Sequence, residues 1–154
     1  MKTESDPNLE LTPDKVVKVT AIVWAFFTLT MCFLFCAALV LIDGSAVIQT
    51  PEREAFLRVF PLIGASMLLL SLIANRLCRM AAARLAARGE VRFMRYFGAV
   101  VASCALNESV VVLGLVLTLI TKDAADIIPY FGLAFGANAL LFPTKEKLRR
   151  FFAA

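Results

Sequence analysis

The sequence predicts an all-α integral membrane protein whose four transmembrane helices form two antiparallel hairpins. Three observations predict it. The first is composition: 60% of the 154 residues are hydrophobic and the mean hydropathy is +0.81, whereas soluble domains are about 45–50% apolar. The second is four apolar runs, at about 19–42, 60–77, 97–121 and 127–143. At ~1.5 Å rise per residue the longer runs cross a ~30 Å hydrocarbon core. The third is charge. Four spans put both termini and the segment 76–96 on one side, and that side holds every one of the 16 Lys and Arg except Arg53, Arg58 and Lys122. Basic residues stay cytoplasmic, so both termini are expected in the cytoplasm, with a bacterial inner membrane as the host.

Each element has a local reason. Residues 1–12 are polar and read as a disordered cytoplasmic tail. Thr12-Pro13-Asp14 is a helix start: a hydroxyl cap, Pro at the first helical position, and an acid at the positive end of the dipole. Asp43-Gly44-Ser45 breaks the first span, and Thr50-Pro51-Glu52 starts a second helix with the same chemistry. That helix meets Pro61, which removes a hydrogen bond and invites a kink. It is expected to run past Leu77 into the cytoplasm and end at Gly89, a residue suited to a left-handed cap. The third span follows. The loop KDAAD leads to the fourth run, the shortest and near the lower limit for a span. Thr144 is placed to cap a last short helix, KEKLRRFF, whose basic and aromatic residues suit a membrane interface. Residues 13–151 make one domain, and 152–154 are tail. Pro61-Leu62-Ile63-Gly64 and Pro129-Tyr130-Phe131-Gly132 echo one another near the outer ends of the two inward-running spans. Chance similarity and a duplicated hairpin both account for that echo.

Composition also excludes. With no His and four Cys at no zinc-ligand spacing, neither a metal site nor a cofactor is expected. Cys32, Cys36, Cys78 and Cys104 read as small packing residues. The net charge of +4 is explained by membrane topology rather than by nucleic acid. No phosphate loop, serine nucleophile motif or acid/base pair is present, so no catalytic residue is assigned and no enzyme is expected.

The residue that invites a function is Glu108, the only carboxylate inside an apolar run. A charge at bilayer depth costs roughly 2.5 kcal/mol or more, so such residues usually face protein or water. Its helical neighbours Cys104, Ala105, Val111 and Val112 cannot neutralise it. Either another helix supplies a partner or the acid is protonated. Asn107, Asn138, Thr28, Thr30 and Ser66 match it in depth and define a candidate polar patch. The patch reads either as a hydrogen-bonded packing lock between helices or as an ion or proton site. Arg84, Arg88, Arg92 and Arg95 form a basic arc on the cytoplasmic side, serving topology or binding anionic lipid or an acidic partner. Gly132 and Gly136 make a GxxxG motif that, with Gly114, permits close helix packing within or between subunits.

The segment Ala105-Leu106-Asn107-Glu108-Ser109-Val110-Val111-Val112-Leu113-Gly114-Leu115-Val116 resembles the ion-binding helix of the rotary ATPase proteolipids, the ring-forming c and K subunits. Glu108 and Gly114 match that helix in type and spacing, and the preceding Arg88-Gly89-Glu90 turn is similar. The likeness covers about residues 60–120. It implies that Glu108 is a reversible proton or sodium carrier. The chain departs from the family in three ways: Gly64 is the only glycine of the neighbouring span 60–77, the termini are placed inside, and the acid lies in the third span of four.

From residues alone the function is therefore a non-catalytic small subunit or assembly factor of a membrane complex, self-associating or joined to a larger assembly in the lipid bilayer. The alternatives are a proteolipid-like ion-binding subunit centred on Glu108, and an adaptor acting through the arginine arc.

Overall fold

The computed structural model describes residues 12–42, 51–84 and 89–153. The expected tail up to residue 11 and the Asp43-Gly44-Ser45 break lie outside them. The helices are α1 (Pro13–Ile42), α2 (Pro51–Arg84), α3 (Gly89–Thr121), α4 (Ile127–Leu140) and α5 (Lys145–Ala153), with a 3-10 turn at Ala124–Asp126 between α3 and α4. Among the described residues there is no strand. Three helices are long and apolar enough to cross a membrane, and α4 is a shorter apolar helix.

The helix starts follow the sequence. Thr12 Oγ1 accepts from the Lys15 N–H at 3.5 Å, and its carbonyl accepts from the Val16 N–H at 3.2 Å. Thr144 does the same for α5, with 3.2 Å to Lys147 and 3.0 Å to Leu148. Two ends differ from expectation. Gly89 does not cap α2; it is the first residue of α3. Phe93 and Tyr96, both buried, anchor the next turns of α3, and tertiary packing of this kind draws the preceding residues into helix. The fourth run does not stay helical to residue 143. Pro143 disfavours helical backbone at Phe142, and α4 closes in a tight turn, with Leu141 N–H on Asn138 O at 2.9 Å and Phe142 N–H on Ala139 O at 3.2 Å. Lys147 Nζ then covers the free carbonyls of Leu140 (2.7 Å) and Phe142 (2.9 Å).

α3 is the central helix. Of its most apolar window 44% is buried, against 17% for α1 and 11% for α2. Its buried stripe recurs every three or four residues through Tyr96, Val100, Ser103, Asn107, Val110, Gly114, Leu117 and Thr121, the spacing of one helical face. Exposed Val112, Val116 and Leu119 occupy the opposite side. Two apolar clusters fill the interior. One joins Val16, Tyr96, Cys104, Leu141 and Leu148; the other joins Met31, Val110, Leu117, Ile127, Tyr130 and Ala134. Cys104 packs as expected, but Cys36 is exposed, on a face of α1 that no other helix covers.

At the end of α3, Lys122 adopts a left-handed conformation (φ 58°). Asp123 accepts from the Ala125 N–H at 3.0 Å, and Thr121 Oγ1 donates to Asp126 at 2.7 Å. Arg53, from the first turn of α2, pairs with Asp123 at 3.1 Å and approaches Asp126 at 4.0 Å. This clasp ties the start of α2 to the α3–α4 connection.

Tyr130 fixes where α4 sits. A Cβ added to Gly114 would lie 2.7 Å from Tyr130 Cβ and 2.9 Å from its Cγ, while a Cβ on Gly64 would lie 3.4 Å from Tyr130 Cε1. The ring thus reaches from α3 to α2 through gaps left by two glycines. Gly114→Leu is expected to lower stability by about 1–3 kcal/mol through overpacking. Gly132→Leu, whose Cβ meets nothing within 4 Å, is expected to change the monomer's stability by less than about 0.5 kcal/mol. Unfolding in detergent measures both, and equal stability of the two variants would contradict the packing described.

Candidate functional site

The candidate site is a polar layer across α1, α3 and α4. Three paired contacts set the α1–α4 register: Trp24 meets Phe142, Thr28 meets Asn138 and Phe35 stacks on Phe131. Each step up α1 is matched by an equal step back along α4. Gly114 against Tyr130 sets the α3–α4 register. Seven residues from Gly114 along α3 lies Asn107, and eight from Tyr130 along α4 lies Asn138. At ~1.5 Å per residue the two amides stand at one level. Thr28 shares that level through its bond to Asn138.

The hydrogen bonds between α1 and α4 close a ring. The Trp24 indole N–H donates to the Asn138 carbonyl at 2.8 Å, Asn138 Nδ2 donates to Thr28 Oγ1 at 2.8 Å, and Thr28 Oγ1 donates back to the Trp24 carbonyl at 2.9 Å. Asn138 is 1% exposed and Asn107 0%. Both side-chain polar atoms of Asn107 and the Oδ1 of Asn138 are buried with no partner among the described residues. A second tie sits on the same face of α3: Ser71 Oγ donates to the Ser103 carbonyl at 3.3 Å, and Ser103 Oγ donates to the Ser71 carbonyl at 3.1 Å.

Glu108 stands apart from this ring. It follows Asn107 by one residue, about 100° around the helix, and is half-buried on the flank between the core stripe and the exposed face. No hydrogen bond or ion pair reaches it among the described residues. Ser66 is exposed and its hydroxyl folds back to the Leu62 carbonyl at 2.8 Å. The structure therefore joins Thr28 and Asn138, sets Asn107 at their level, and leaves Glu108 and Ser66 outside.

The glycines divide in the same way. Gly114 is a contact point, whereas Gly132 and Gly136 are exposed and open, so the GxxxG motif makes no packing among the described residues. Of the arginines, Arg88 lies outside the described residues, as do the side chains of Arg84 and Arg92; Arg95 is half-buried. No cluster of metal-ligating side chains occurs among the described residues. Comparison with protein families, with characterised proteins and with solved structures finds no match to this chain.

Sequence reasoning missed Trp24, Ser71, Ser103 and Tyr130. Ser103 had a signal, since it precedes Asn107 by four residues and so shares its helix face. Tyr130 had one too, because a polar-tipped ring near glycines needs a place for its hydroxyl. For Trp24 and Ser71 the partners lie on other helices, and no local spacing announces them.

The ring makes a measurable contribution. Thr28→Val strands Asn138 Nδ2 and is expected to destabilise the chain by about 0.6 kcal/mol, and at most about 1.7. Thr30→Val is expected to change nothing, because Thr30 only bonds back to Phe26 on an exposed face. Steric-trap or SDS unfolding of both variants checks this, and equal loss in both would contradict it.

Proposed function

We propose that this chain is a four-span integral membrane protein of the bacterial inner membrane, with its spans paired as two antiparallel hairpins and both termini in the cytoplasm. It works as a non-catalytic small subunit or assembly factor of a larger membrane complex. The observation that carries this reading is Glu108: a mid-span acid, half-buried on the flank of the central helix, with no hydrogen-bond or ion-pair partner among the described residues. In hydrocarbon such a group is satisfied by another molecule or gives up its charge. Two further features support an external partner. The open faces of Gly132 and Gly136 allow another helix to approach closely. The faces of α1 and α2 away from α3 are apolar and uncovered, with Ile22, Phe33, Val40 and Leu62 each at least 69% exposed.

The same observation favours a second reading, in which Glu108 binds a proton or sodium as a proteolipid-like subunit. The two are separated by chemistry. In native membranes, cross-linking is expected to recover the chain in adducts larger than the monomer, and Glu108→Gln is expected to reduce them. Recovery of monomer alone contradicts a complex subunit. A hydrophobic carbodiimide, which modifies protonated membrane carboxylates, tests the second reading. Labelling of Glu108 that sodium or raised pH suppresses supports ion binding, and absence of labelling removes it.

A further inference from the structure

The outer side of α3 carries a pattern of its own. Val101, Ala105, Glu108, Val112, Leu115 and Leu119 are spaced alternately four and three residues apart, and each is at least partly exposed. That is the spacing of a seam along which a second helix packs. All but Glu108 are apolar, and Glu108 sits near the middle of the apolar run 97–121. The neighbouring helices meet other parts of α3. α2 meets it at Ser103, through the paired serine bonds, and at Val110, where a Cβ on Gly64 would lie 3.8 Å from Cγ1. Glu108 is about 140° round the helix from Ser103 and about 160° from Val110. On the other side, α1 supplies Val16, Trp24 and Phe27 to the cluster that holds Cys104. Glu108, one turn on from Cys104 and about 40° further round, lies on the outer margin of the face that meets α1.

We propose that this seam receives a transmembrane helix of a different protein, one that carries a lysine or arginine at mid-membrane depth and pairs it with Glu108. The proposal rests on the subunit reading above and names the partner's chemistry. A carboxylate among hydrocarbon selects an opposite charge, and intramembrane charges pair with one another. A bare metal ion finds a poor site here, because hard cations take several oxygen ligands. Cys104, Ala105, Val111 and Val112, the residues one turn away, carry no side-chain oxygen, and the Ser109 hydroxyl is turned back to the Ala105 carbonyl at 2.9 Å. A second copy of this chain does not supply the charge either. Its four apolar runs hold no Lys or Arg except Arg76. Gly64 stands against Val110 and Ser71 against Ser103. Continued along α2, that register puts Arg76 level with about Gly98, roughly ten residues and ~15 Å from Glu108. At the depth of Glu108, a copy in the same orientation brings a second carboxylate, and like charges disfavour one another.

The test uses the full chain, fluorescently tagged at its C-terminus, in lipid vesicles. The probes are synthetic helices of about 20 leucine and alanine residues, with a lysine at the centre or, as the control, a leucine there. Energy transfer reports association. The lysine peptide is expected to associate roughly tenfold or more tightly than the leucine peptide, the value of a hydrogen bond to a charged group. Glu108→Gln is expected to remove that preference, and Glu108→Lys to transfer it to a peptide with a central glutamate. Moving the lysine two turns along the peptide, which leaves the chain untouched, is expected to remove it as well. A photo-crosslinker beside the peptide's lysine is expected to mark α3 near Val112. Equal association of the lysine and leucine peptides overturns the proposal. So does a preference that survives Glu108→Gln, or cross-links confined to α2 and α4. These failures are distinct from failure of the subunit reading. Native-membrane adducts that depend on Glu108, with indifference to the lysine peptide, overturn the cationic partner alone, whereas recovery of monomer alone overturns the subunit.

Discussion

Inside hydrocarbon there is no water to satisfy a polar group, and each one left bare costs several kcal/mol. That constraint bears most on α3, whose buried face holds Asn107 and Thr118 with side-chain polar atoms that meet no partner among the described residues. It is the helix with most polar residues in its apolar run, and it is the helix most covered by others. Ser103, Asn107, Thr118 and Thr121 all lie on its buried face. The bundle is an apolar sleeve wound around a weakly polar stripe. α1 and α2 need no such cover. Their outer faces carry leucine, isoleucine and phenylalanine, for which lipid is as good a neighbour as protein.

Packing within the sleeve depends on shape more than on polarity. Tyr130 projects from α4 between Gly114 and Gly64, and this single ring sets how near three helices approach. The same ring leaves space beside it, because Pro61, Ala65 and Pro129 offer nothing bulky to close the gap. At one end of the bundle, Arg53 bridges the two acids of the α3–α4 connection and locks the start of α2 to it. The opposite end is held differently. Leu148 of α5 is buried against Val16 and Tyr96, and Lys145 pairs with Asp14 at 3.0 Å.

Much of this was legible from the sequence because its causes are local. Hydroxyl-Pro-acid triplets start helices by satisfying end groups within four residues, as Thr12 does for α1; α2 begins at Pro51, and Thr50 lies outside the described residues. The bulk of each apolar helix was readable as well. Features that depend on a partner helix were not. The fourth run looked continuous to residue 143, yet Pro143 and the Lys147 ammonium end the helix earlier. The depth match between Thr28 and Asn138 ends in a hydrogen bond, while Ser66, opposite Glu108 in the α2–α3 register, turns its hydroxyl back to its own helix. Equal depth does not fix which way a side chain turns, and Ser66 finds its own carbonyl first. The GxxxG motif, expected to pack within or between subunits, makes no contact among the described residues. Spacing shows that two glycines share a face but not which neighbour that face meets.

The division of α3 into a covered face through Asn107 and an open face beside Glu108 carries the proposed role of Glu108. It makes Glu108 available to a partner and Asn107 unavailable. Spin labels placed singly from Ser103 to Val116 in the bilayer-reconstituted chain measure it directly. Collision with dissolved oxygen is expected to oscillate with the helical period, lowest at Ser103, Asn107, Val110 and Gly114 and highest at Val112 and Val116, with little collision from a water-soluble nickel complex throughout. A flat profile, or an oscillation whose maximum falls on Asn107, would contradict the account.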